Sequence, residues 1–111
     1  MHMRVLLALA FFALSPASQA QERSGERSMM MATCGRVGSE GALCRSVVND
    51  ARVSMNTKRS CLEAITLILQ GTGWSKVRSL PPTLTCESGL GRAGYPVAEL
   101  LARWNRLSAR R

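Results

Sequence analysis

Four cysteines, Cys34, Cys44, Cys61 and Cys86, constrain this chain more than any other feature, because what they bond to sets both the compartment and the fold. The segment ahead of them reads as an export signal. His2 and Arg4 precede an apolar run from Val5 to Leu14, and Ser18 and Ala20 are the small residues that signal peptidase requires, so cleavage is expected after Ala20. An uncleaved anchor is the alternative, but the run is shorter than the roughly 20 apolar residues that span a bilayer. No Cys follows the cut and no Arg-Arg pair precedes the run, which argues against lipid anchoring and twin-arginine export. The expected locale is the periplasm or the exterior of a bacterium.

Removing residues 1–20 from a chain of 111 leaves 91, one small domain with a marginal core. An even number of cysteines in such a chain reads as two disulfides. Zinc is the competing reading, but no spacing is Cys-x-x-Cys and the only His is His2, which leaves with the signal. No metal or cofactor is expected.

The central element is expected at Ser60–Gly71. Ser60 and Glu63 have the spacing of a reciprocal capping box, Gly71 supplies a left-handed terminator, and only Glu63, Thr66 and Gln70 are polar between them. A buried strand over Ala64–Leu69 competes, since Ile65, Thr66 and Ile68 are β-branched. The caps favour a helix over 61–70.

Upstream, Leu43, Cys44, Val47, Val48, Ala51 and Met55 recur at helical spacing, so an amphipathic helix is expected over 40–56, with Ser39 as N-cap and Glu40 favoured by the dipole. Asn56–Arg59 reads as a short basic turn, making these two helices an antiparallel hairpin. Residues 21–28 read as a mobile polar arm. Met29, Met30 and Met31 suit a helical turn near 29–34, begun by Ser28 and ended by Gly35; adjacent methionines diverge on a helix and fill core better than they bind copper. Thus residues 1–20 are expected as signal, 21–33 as arm and turn, and 34–111 as one disulfide-linked domain.

Downstream, Trp74 is expected to cover the end of the hairpin core. Gly71-Thr72-Gly73 invites comparison with a phosphate-cradling loop, but a helix C-terminus presents carbonyls rather than the N–H groups an anion needs. Pro81 and Pro82 are expected to rule out a helix, Thr83–Cys86 alternates like a short extended edge, and Glu87–Gly94 with its glycines reads as a flexible loop. A last helix is expected over 96–108, where Pro96 suits the first turn and Val97, Leu100, Leu101, Trp104 and Leu107 share an arc of about 120°. Glu99, Arg103, Arg106 and Arg110 fall in a separate arc of about 60°. The class is therefore all-α, a disulfide-stapled domain of three main helices.

Connectivity follows from the expected hairpin. Cys61 would lie beside the end of the preceding helix, about 16 Å from Cys44 at 1.5 Å per residue, whereas a bridge needs Cα atoms within about 7 Å. That disfavours Cys44–Cys61 and with it Cys34–Cys86. Of the two pairings left, Cys34–Cys44 with Cys61–Cys86 closes the shorter first loop and is preferred to Cys34–Cys61 with Cys44–Cys86.

The available chemistry is narrow. Without a mature His or a free thiol, Ser-His and Cys-His nucleophiles and His metal sites are excluded. Asp50 and Glu87 are the carboxylates left for a glycosidase-type pair, with no spacing to support one, so no enzyme is expected. The whole chain carries +8, and loss of Arg4 leaves +7. Such an excess favours anionic partners, or keeps a small protein soluble. The expected role is a binding protein that docks on an acidic exported protein through Arg103, Arg106 and Arg110, with Lys58 and Arg59 nearby. The alternative is a cationic protein whose final helix engages anionic lipid or envelope polymer. Nucleic acid is scarce in these compartments and is not expected as a partner.

Overall fold

The computed structural model describes residues 24–110; the expected signal peptide and its cleavage site lie outside them. Every secondary-structure element among the described residues is helical. Helix α1 covers residues 24–35, a 3-10 turn covers Gly38–Glu40, and α2 (Gly41–Asn49), α3 (Met55–Leu69), α4 (Trp74–Val77), α5 (Pro81–Arg92) and α6 (Val97–Ala109) follow. The disulfides are Cys34–Cys44, with Cα atoms 5.3 Å apart, and Cys61–Cys86, 4.8 Å apart. This is the preferred pairing, although the hairpin from which it was argued is not the one that forms.

The central helix begins earlier than its apparent capping box. Ser54 is extended, and its hydroxyl accepts the backbone N–H of Thr57 at 3.1 Å, satisfying a donor of the first turn. Asn56–Arg59 is therefore that first turn and not a linker, Ser60 lies inside α3, and Glu63 is exposed. Nothing in Met55–Arg59 breaks a helix, so the earlier cap prevails. The far end is as expected: Gly71 has φ +93°, its N–H donates to the Ile68 carbonyl, and the Thr72 N–H donates to that of Leu67, which together form a Schellman motif.

The helix expected over 40–56 stops at Asn49, because the Asp50 carboxylate accepts the Arg52 backbone N–H at 2.9 Å and turns the chain. Ser39 and Glu40 belong to the 3-10 turn, and neither side chain caps α2. Residues 24–28, expected as a polar arm, are helical, and α1 buries Met30 and Cys34 while leaving Met29 exposed.

The largest correction concerns residues 81–92, which form α5 rather than an extended edge and a flexible loop. Pro81 and Pro82 occupy the first turn, where their missing N–H groups would have had no partner. Gly89 is helical and lies against Thr57 of α3; a Cβ there would come within 2.5 Å of Thr57 Cγ2. The glycine serves close approach, not flexibility. α5 then ends in its own Schellman motif at Gly94, φ +90°.

These contacts define the hairpin of the domain. Cys61 meets Cys86 and, four residues back, Thr57 meets Gly89 three residues on, so α3 and α5 run antiparallel. It is α5, not α2, that packs most extensively on α3. Ile68, Val77, Leu90 and Cys86 are almost wholly inaccessible at the centre of the core, and α2 and α6 add Val47, Val48, Leu100, Trp104 and Leu107. Trp74 opens α4 and packs half-buried against this core, as its apolar bulk requires.

Candidate partner-binding surface

The surface is built on α6. Leu100, Trp104 and Leu107 turn into the core and fix the rotation of the helix. The cationic strip must then face away from that stripe. Its three arginines have different surroundings. Arg103 donates from Nη2 to Glu99 at 2.9 Å and from Nη1 to Glu40 at 3.3 Å, which ties α6 to the 3-10 turn. Glu99 and then Glu40 stabilise its charge and push its pKa up. Arg110 is exposed and reaches the Ser39 hydroxyl at 3.5 Å. Arg106 is exposed and makes no ion pair or side-chain hydrogen bond among the described residues.

Lys58 and Arg59 stand in the first turn of α3, and no hydrogen bond or ion pair among the described residues joins them to the α6 strip. Lys58 is buried, its stem packed under an ammonium without a carboxylate partner in the described region. Arg59 pairs with Glu26 of α1, its Nη2 lying 3.0 Å from Oε2, and this bond holds the Glu26 carboxyl below its usual range. Of the five candidate cations, Arg106 and Arg110 are thus the two presented outward without a carboxylate.

A second polar cluster gave no signal in sequence. Asp50, at the end of α2, accepts from the Arg52 guanidinium at 2.8 Å and from the Tyr95 hydroxyl at 2.7 Å. The Arg52 bond, followed by the Tyr95 bond, holds its carboxyl well below the carboxylate range. Burial, then the bond to Asp50, pushes the Tyr95 hydroxyl up. The cluster fastens α2 to the segment entering α6. Of the two carboxylates considered as a catalytic pair, Asp50 is engaged here, while Glu87 stands on α5 and lines a groove.

Two hollows accompany these features. One, about 20 Å³, lies among Val47, Leu62, Ile65, Leu90, Leu100 and Trp104 beneath the Glu40–Arg103 pair, with space for about one water and no ligand. The other is an open groove of about 330 Å³ between α4, α5 and α6, lined by Trp74, Arg78, Leu84, Glu87, Leu101, Ala102 and Asn105. Among the described residues no cysteine is free, no cluster of three acidic, His or Cys side chains forms, and no helix is long and apolar enough to cross a membrane. The two disulfides are of the kind that persists in oxidising, extracytoplasmic surroundings.

Comparison with family models, curated proteins and solved structures finds no match to this chain.

Proposed function

We propose that the chain is a small, basic, exported, non-enzymatic protein that docks on an acidic periplasmic or secreted protein, as an inhibitor, immunity factor or envelope accessory would. The observation that carries this reading is the division of α6: Leu100, Trp104 and Leu107 are buried, while Arg106 and Arg110 face outward without carboxylate partners among the described residues. Outward guanidiniums suit bidentate pairing with carboxylates and speed encounter with an anionic partner. The apolar run at Val5–Leu14 and the two disulfides support export. Binding to anionic lipid or polymer through α6 is the weaker alternative, since an interfacial helix needs its apolar face for the membrane and here that face is in the core.

The test is capture from envelope extract by immobilised protein, comparing wild type with Arg106→Glu/Arg110→Glu. Arg103 is left unchanged because a carboxylate there would repel Glu40 and Glu99. The double reversal should abolish capture, added salt should weaken it, and the thermal midpoint should stay put. Capture indifferent to both reversal and salt would sink the reading. Co-sedimentation with phosphatidylglycerol vesicles, if retained by the wild type and lost in the variant, would favour lipid instead.

A further inference from the structure

We propose that the groove between α4, α5 and α6 is the seat of a second copy of this chain, forming a two-fold dimer. Its walls are about half apolar and half polar, with Trp74, Leu101 and Ala102 beside Leu84, which is 52% exposed and one of two large hydrophobic residues left so open among the described ones. Its lining also carries one cation and one anion. Neither Arg78 nor Glu87 forms an ion pair among the described residues, whereas Glu26, Glu40, Asp50 and Glu99 all have arginine partners.

That pair of opposite charges selects the occupant. An acidic partner would meet Glu87 and a basic one would meet Arg78, each an unfavourable like-charge contact. A two-fold interface is self-complementary, so residue i of one copy faces residue j of the other and the reverse. A second copy seated on this groove would set Arg78 against the partner's Glu87 twice, with Leu84 and Trp74 between the pairs. Leu101, Ala102 and Asn105 form the groove side of α6; Arg110 lies about 80–180° around the helix from them and points away, while Arg106 lies about 40–140° away and borders the groove beside Ala102. The dimer rests on Arg78, Leu84 and Glu87, none of which belongs to the strip proposed for the acidic partner.

Sedimentation equilibrium of the protein recovered from expressing cells should show a reversible monomer–dimer equilibrium. Leu84→Arg, at an exposed position that the fold does not need, should abolish it. Arg78→Glu and Glu87→Arg alone should each weaken association roughly tenfold or more. An equimolar mixture of those two single variants should restore it, because each charge then faces its opposite across the two-fold. Circular dichroism would establish that every variant remains folded. A wild type that stays monomeric, a dimer indifferent to Leu84→Arg, or a mixture no better than either single variant would overturn the proposal.

Discussion

The α3–α5 pair and the α1–α2 pair are both stapled by one disulfide, yet they depend on it differently. Across α3 and α5 the staple lies within close packing: Thr57 is seated on Gly89, and Ala64, Ile68, Leu90 and Cys86 are buried around it. α1 buries fewer residues, Met30 and Cys34 foremost, and its other attachments are exposed polar contacts, Arg27 to Asn49 and Glu26 to Arg59. Exposed contacts of that kind contribute little in water. In the first pair the bridge reinforces an interface that close packing already defines; in the second it is the principal tie. A disulfide therefore reports proximity, not how much of the neighbouring structure rests on it.

The sharpest way to break this comparison is to remove each bridge by paired Cys→Ala substitution. Chain entropy assigns about 3.5 kcal/mol to Cys61–Cys86 and about 2.7 kcal/mol to Cys34–Cys44, from closures of 25 and 10 residues. The magnitudes are close, so the location of the loss decides. Without Cys61–Cys86 all helices should lose amide-exchange protection together; without Cys34–Cys44 the loss should concentrate in residues 24–35. Uniform loss in both variants would show the two regions to be equally dependent.

Next in size is Gly89→Ala. The added Cβ meets Thr57, which is itself buried, so overpacking should outweigh the gain in helix propensity and cost about 1–3 kcal/mol in denaturant unfolding. A neutral or stabilising result would mean that α3 and α5 are not in close contact there. Ser54→Ala removes the cap of α3 and should cost about 1 kcal/mol by the same measurement. Ser60→Ala, inside the helix, should change stability far less; the reverse order would restore the capping box at Ser60.

The smallest effect expected is pH-dependent. Asp50 has its carboxyl pKa lowered in the folded chain, so its contribution is complete well above the ordinary carboxylate range and declines as pH falls through about 4 and below. The midpoint difference between wild type and Asp50→Asn should therefore shrink as pH is lowered from neutrality. A constant difference would mean that the bonds to Arg52 and Tyr95 do not favour the ionised form. Because this cluster joins α2 to the entry of α6, its loss should leave exchange protection of α3 and α5 almost intact.

Some local signals were legible, although the Ser54 cap of α3 and the Asp50 turn that ends α2 are just as local and were not. Gly71 ends its helix through bonds to Ile68 and Leu67, and α6 appears within one residue of its expected bounds because its apolar stripe repeats at helical spacing. The all-α class was legible too; the cysteine pairing came out as expected through its preference for the shorter first loop, although the hairpin used to discard Cys44–Cys61 does not form. For the candidate surface, the spacing of Arg103, Arg106 and Arg110 already placed them on one strip.

Other features that escaped the sequence depend on partners distant in it. Pro81, Pro82, Gly89 and Gly91 carry the composition of a loop, yet they form α5 because prolines are harmless in a first turn and because a helix without a side chain at position 89 can approach Thr57. The same holds for charge. That Arg103 is held by Glu40, 63 residues away, and Arg59 by Glu26, 33 away, while Arg106 stays open, depends on how α6 and α1 dock. Sequence spacing determines which residues share a helix face; the packing of one face on another determines which of them remain free to bind.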